Sequence, residues 1–379
     1  MSLPTVSSPE SEFLLPTEPP ITCRNLAPLG GQLGCEPEDF RVDEIPAYEP
    51  CGSGTHRYVR LRKRLLTTPE LVHIVARAAN VHESSVGTAG MKDKYAVTTQ
   101  WLSLPMPCAP VSEWTIPETV EVLEESLHTN KLRTGHLHGN RFTIRLINLD
   151  IDAKARFLAL WSRIERGILN SFGEQRFGHG GSNLQRAMDW LQGRFQLRGP
   201  KARFLKKLYP SVIQAEVFNR YLIRRMEASL DEPLPGEVVR LKGSGACFVV
   251  KNQADEKPRW HLGDILPTGP MIGAKAYPAA QSNALAMEQQ VASDLGLEGE
   301  LLARLNVEAP GTRRDLLLFL DGPTFEWLED QSLSISFALP AGAYATQVLR
   351  ELTQEPWLKS GRTKANPEIG LRAGSDLGV

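Results

Sequence analysis

Between Gly87 and Tyr95 the chain reads Gly-Thr-Ala-Gly-Met-Lys-Asp-Lys-Tyr, which puts one carboxylate, Asp93, between Lys92 and Lys94 on a glycine-bearing loop. Glycine lets a backbone approach a ligand closely. Flanking ammonium groups are expected to hold Asp93 ionised. This is a setting for a catalytic carboxylate, and equally for a surface turn of mixed charge. It is not a phosphate loop: the GxxxxGK[ST] spacing is absent, and Asp93 stands where a magnesium-binding Ser or Thr belongs.

Other candidate chemistry is weaker or different in kind. His82-Glu83-Ser84-Ser85-Val86 breaks the HExxH pattern, and His73, His136 and His138 have no partners at a ligand spacing, so no metal site is expected. The segment Phe172-Gly173-Glu174-Gln175-Arg176-Phe177-Gly178-His179-Gly180-Gly181-Ser182-Asn183 leads into a helix whose cap is expected at Ser182 or Asn183. Bare glycine amides at a helix start bind phosphate. Phe172 and Phe177 could stack bases or fill core. Basic residues cluster twice: at Arg57, Arg60, Arg62, Lys63 and Arg64, and again over 161–225, where 13 Lys and Arg face four Asp and Glu. Such an excess is either a solvated face or a polyanion-binding face.

The elements that must position these residues follow from the pattern. At 379 residues, 41% hydrophobic and 23% charged, the chain has the size of about two domains and enough apolar surface to fold them. No run of about 18 apolar residues suggests a membrane span. Five cysteines, none in a CxxC pair, and a start lacking a signal-peptide pattern point to a reduced, cytoplasmic setting. Residues 1–20, rich in Pro, Ser, Thr and Glu, read as a mobile tail. Phe40, Val42 and Glu44 alternate with polar residues as a strand, as do Phe142, Ile144 and Leu146. Further strands are expected at Tyr58–Leu61, Ala96–Leu104, Val238–Val250, Leu316–Leu320 and Leu333–Leu339. A helix capped by Thr68 carries Leu71, Ile74, Val75 and Ala78 on one face. Helices are also expected over Ala153–Leu169, Asn183–Gln192, Ala215–Leu230 and Gly342–Leu352. The order β, then mostly α, then β predicts an α+β domain interrupted by an insertion.

Taken together, these segments resemble the TruD family of tRNA pseudouridine synthases. The likeness rests on Pro37-Glu38-Asp39-Phe40 with the strand after it, Gly90-Met91-Lys92-Asp93-Lys94-Tyr95 through Trp101, Gly139-Asn140-Arg141-Phe142, Phe172–Asn183, and Leu339-Pro340-Ala341-Gly342-Ala343-Tyr344-Ala345-Thr346 with Arg350-Glu351-Leu352. Many members carry a lysine shortly before the first motif, where this chain has Gly34 and Cys35.

The resemblance implies a mixed-sheet pseudouridine synthase domain (21–166 with 319–360), an inserted α+β domain at 167–318 and a C-terminal extension at 361–379. It implies a tRNA partner, no cofactor, no membrane and no obligate protein partner. The family's usual target is uridine 13 in the D arm. The catalytic aspartate falls on Asp93. Asn140 and Phe142, two apart on one strand and so on one face, are expected to hold the detached base. Phe40, Lys92, Arg176, Gly180 and Asn183 are further substrate-binding candidates. The carboxylate would attack covalently or assist a glycal intermediate. A non-catalytic tRNA-binding protein would share the basic face without needing Asp93.

Overall fold

The structure, a computed structural model, describes residues 14–354. In chain order it contains β1 (Gly30–Leu33), β2 (Phe40–Pro46), β3 (His56–Arg64), α1 (Thr68–Ala78), β4 (Gly87–Thr88), β5 (Val97–Pro105), β6 (Val120–His128), β7 (Leu137–Leu149), α2 (Ala153–Glu165) and β8 (Ile168–Leu169). There follow α3 (Glu174–Phe177), α4 (Ser182–Leu191), α5 (Ala202–Glu227), β9 (Val238–Leu241), β10 (Cys247–Val249), α6 (Gln253–His261), β11 (Ile265–Met271), α7 (Asn283–Ser293), α8 (Gly299–Glu308) and β12 (Thr312–Asp315). The described chain closes with β13 (Leu317–Leu318), β14 (Asp321–Trp327), β15 (Leu333–Pro340) and α9 (Ala345–Thr353).

These elements form two compact units. A sheet unit begins at Pro20, pauses at Asn170 and resumes at Leu317. The inserted unit runs from Ser171 to Leu316 and includes residues 14–19. The expected insertion, 167–318, is trimmed at both ends because β8 pairs antiparallel with β13 and keeps those residues in the sheet unit.

In the sheet unit the main sheet runs β14-β15-β7-β2-β5-β3-β6, with β1 beside β7 and β4 beside β5. Only β2 and β5 pair in parallel; the other ladders are antiparallel, so the sheet is mixed. Phe40 and Val42 of β2, Phe142 and Ile144 of β7 and Ile335 and Phe337 of β15 share a core with Phe157 and Trp161 of α2 and Val348 and Leu349 of α9. A second core joins Leu71 and Val75 of α1 to Val59, Leu61 and Leu102. The cap of α1 is Thr67, one residue before the expected Thr68: its hydroxyl accepts from the Glu70 amide while the Glu70 carboxylate accepts from the Thr67 amide at 2.6 Å. Such a reciprocal box satisfies two amides that the helix itself cannot.

In the inserted unit, the long α5 packs against α4 and β11, beside a four-stranded sheet ordered β10-β9-β11-β12. It starts at Ala202 rather than at Ala215 and runs through Pro210. Its first turns carry Phe204, Leu205 and Leu208 at helical spacing among Arg203, Lys206 and Lys207, a stripe the expected start missed; the buried residues begin at Tyr209. Residues 14–19 do not form a mobile tail. The Thr17 amide and hydroxyl donate to the fully buried Glu216 carboxylate, at 2.9 and 2.7 Å, and the Leu14 amide donates to Gln185. Composition cannot reveal this, because the anchor is a single buried acid far along the chain. Residues 1–13 of the expected tail and the extension at 361–379 lie outside the described residues.

Candidate active site

The loop carrying Asp93 is held at three consecutive residues. The Thr68 hydroxyl, which does not serve as the helix cap, donates to Gln100 Oε1 at 3.1 Å and accepts from the Lys92 amide at 2.9 Å. Lys63 Nζ donates to the Asp93 carbonyl at 2.8 Å and to the Leu66 carbonyl at 2.5 Å. Lys94 Nζ reaches the Glu70 carboxylate at 3.0 Å. The N-terminal turn of α1 and the end of β3 thus fix the backbone of this loop, and the Asp93 side chain is left exposed.

The charges are not arranged as the loop's own sequence suggests. Lys92 does not flank Asp93 in space as a free ammonium. It is buried, 2.7 Å from the Glu44 carboxylate, and donates to Asn140 Oδ1 at 2.9 Å. Glu44 also accepts from the Trp101 amide. Lys94 is occupied by Glu70. Lys63, which is fully buried, lies close enough to Asp93 for the two charges to interact. Burial pushes its ammonium down to about 8, opposed by the negative charge of Asp93 and helped by the nearby Lys92. Both Lys63 and Glu44 escaped the sequence reading, yet each had a signal. Val59, Leu61 and Lys63 alternate onto the buried face of β3, and Glu44 continues the inward alternation of Phe40 and Val42.

Register explains the rest of the cluster. β7 pairs with β2 so that Asn140 lies opposite Glu44, Phe142 opposite Val42 and Ile144 opposite Phe40. Asn140 and Phe142 therefore do share a face. Phe142 and Phe40 are mostly covered, at 7% and 9% exposure, with ring centroids 6.1 Å apart. Phe142 also leans on Phe337. Lys92, Asp93, Asn140, Phe142 and Phe40 all belong to the sheet unit.

Arg176, Gly180 and Asn183 belong to the inserted unit. Arg176 donates to the Ser211 hydroxyl at 3.0 Å, and its guanidinium lies 5.4 Å from the Phe172 ring centroid, with that of Arg314 at 4.2 Å. Phe172 and Phe177 are core residues, at 3% and 0% exposure. Asn219 clasps the backbone of Phe172, receiving its amide and donating to its carbonyl, both at 2.9 Å. The cap of α4 is neither Ser182 nor Asn183 but Gly181, at φ 74°. Glycine alone takes that left-handed geometry at little cost. Gly180 is also left-handed, and the position its Cβ would take is open. The Asn183 side chain closes against Gly178, where a Cβ would lie 2.8 Å from Nδ2. Among the described residues, no group of three or more His, Cys, Asp or Glu is placed to hold a metal ion. None of the helices among the described residues is long and apolar enough to cross a membrane.

The fold is similar to that of a TruD protein from Methanosarcina mazei, whose crystal structure matches with a TM-score of 0.68 over 88% of this chain and 95% of that one, at 24% identity. The pattern describing tRNA pseudouridine synthase D (TruD) matches residues 21–188 and 201–352, so the chain belongs to the TruD family of tRNA pseudouridine synthases. Relatives named tRNA pseudouridine synthase D include one from an Anaeromyxobacter species, 41% identical over 89% of this chain and 96% of its own length. Another, from Thermus thermophilus, is 36% identical over 93% and 97%.

Proposed function

We propose that this protein isomerises a uridine of tRNA, uridine 13 of the D arm, to pseudouridine, with Asp93 as the nucleophilic carboxylate. The C1′–N1 bond breaks, the base turns, C5 bonds to C1′, and the proton released from C5 is balanced by one gained at N1. The reaction involves no net oxidation and consumes no second substrate. Asp93 acts in its ionised form, either bonding C1′ or assisting a glycal, and the buried Lys63 ammonium behind the loop favours that form. Asn140, held by Lys92, and the edge of Phe142 keep the detached base in place. The target nucleotide must leave its stack to reach an aspartate. A tRNA substrate implies work in the cytoplasm.

The observation carrying this reading is the anchoring of residues 92–94 at three successive points, with Lys92 tying that loop to Asn140. A surface turn of mixed charge has no need of a buried ammonium on its backbone. The test is Asp93→Asn, assayed by mapping pseudouridine in tRNA transcripts and by tRNA binding. Turnover is expected to fall by roughly 10⁴-fold or more with affinity unchanged. Turnover near that of the wild type would overturn the assignment, and pseudouridine at a position other than 13 would overturn the target.

A further inference from the structure

Thirteen basic residues crowd positions 161–225, but the fold withdraws many of them. Arg225 is fully buried against Glu237. Arg220 pairs with Glu216, Arg224 with Asp294, Arg194 with Asp189 and Lys206 with Glu308. Between residues 171 and 225, five exposed cations have no carboxylate partner among the described residues: Arg186, Arg198, Lys201, Arg203 and Lys207. All lie on α4, on the connection that follows it, or on the first turns of α5.

Aromatic contacts join these pieces into one surface. Tyr209 of α5 packs on Trp190 of α4, with ring centroids 5.9 Å apart. Phe195 of the connection stands edge-on to Tyr209 at 6.3 Å and is 38% exposed. Arg186 lies close enough to Tyr209 for its charge to favour the phenolate, against the burial that disfavours it. The cations also sit against the helix dipole. Lys201 is the α5 cap residue, Arg203 is in its first turn, and no acid offsets them there. Positive charge at a helix N-terminus is unfavourable for the helix, so this placement favours an anionic partner over stability.

We propose that residues 186–207 form an RNA-docking surface, on which Arg186, Arg198, Lys201, Arg203 and Lys207 contact phosphates and the Phe195 ring receives one unstacked base. Charge with an interleaved exposed ring fits single-stranded or looped RNA, because phosphates supply the charge complement and every base has a face to stack. The surface rests on the tRNA reading above; its ring, Phe195, and Arg198 fall in the stretch 189–200 that the matched family pattern leaves out, and its other four cations lie within the matched residues. It serves substrate capture, apart from Asp93.

The experiment measures binding of unmodified tRNA transcript at several salt concentrations, together with turnover. In the combined variant Arg198→Gln, Lys201→Gln, Arg203→Gln, Lys207→Gln, the slope of log K against log[salt] is expected to shrink by about 0.7–0.9 for each phosphate no longer neutralised. Phe195→Ala is expected to weaken binding roughly tenfold at fixed salt, leaving the slope unchanged, and Phe195→Trp to restore it. In each variant KM should rise while kcat at saturating tRNA holds. An unchanged slope in the combined variant overturns the surface, as does weakening by Phe195→Ala that tracks a loss of thermal stability. Wild-type binding to polyglutamate that displaces tRNA and is lost in the combined variant would assign the surface to an acidic protein instead. Because binding is read separately from turnover, an inactive Asp93 loop would leave this test intact.

Discussion

The Asp93 loop and the basic connection of the inserted unit use the same residue types in opposite ways. Around Asp93, lysines are sunk into the fold: Lys63 is fully buried, and Lys92 sits between Glu44 and Asn140. On residues 186–207, Arg186, Arg198, Lys201, Arg203 and Lys207 stand in solvent with no carboxylate partner among the described residues. A buried charge acts through fixed hydrogen bonds and feels bulk salt weakly. An exposed charge acts through its field and is screened over about 8–10 Å at physiological salt. Geometry therefore governs the first region, and ionic strength the second.

The sharpest way to break this contrast is at Lys92. Lys92→Met leaves Glu44 buried and unpaired, and stability is expected to fall by about 3–5 kcal/mol. The double variant Glu44→Gln, Lys92→Met should recover part of that loss in denaturant melts. If Lys92→Met melts like the wild type, the pair is not buried in solution as it is here.

Lys63 is next. Lys63→Met should lower kcat by roughly a hundredfold through misplacement of the Asp93 loop, with little change in KM and partial recovery in Lys63→Arg. The pH dependence has opposite signs for activity and stability. Its pKa in the folded protein is about 8, against an ordinary 10.5 when unfolded. Above pH 8 the folded state binds fewer protons, so this group's contribution to stability rises with pH up to about 10.5 and is lost as pH falls through 8. Turnover should instead decline above pH 8, as the charge facing Asp93 disappears. A wild-type alkaline limb that persists unchanged in Lys63→Arg would remove Lys63 from that role.

A milder test varies salt alone. Between 50 and 200 mM, KM for tRNA should rise steeply while kcat stays nearly flat. The smallest effect belongs to the arm at residues 14–19: Thr17→Ala removes one hydroxyl bond to Glu216 and should cost about 1.5 kcal/mol, read as a lower melting temperature, with no change in kcat.

Much of the sheet unit was legible because its strands alternate. Phe40, Val42 and Glu44 share one face of β2, and Asn140 and Phe142 one face of β7, as period-two reasoning implies; that the two strands pair, with Glu44 opposite Asn140, came only from the fold. The same rule reaches Lys63, had the residue been weighed by its position on β3 and not with its basic neighbours. The cap of α1 was ambiguous because two threonines stand together. Charge partners were illegible for a different reason. Glu44 with Lys92, Thr17 with Glu216 and Arg225 with Glu237 join elements that meet only once folded. Hence the net basicity of 161–225 overstated the unpaired charge that solvent meets, and the unpaired part of the stretch emerged only after its ion pairs were subtracted.

The strand β15 pairs directly with β7, Leu333 opposite Leu146, although residues 171–316 of the inserted unit are encoded between them. During synthesis β7 emerges long before its partner, and at about 5–20 residues per second the wait is roughly ten to forty seconds. For that interval the nascent sheet has an unsatisfied edge and lacks the α9 side of its core, a template for mispairing. Chaperone dependence should therefore be concentrated in the window after Leu149 has left the ribosome and before Pro340 has.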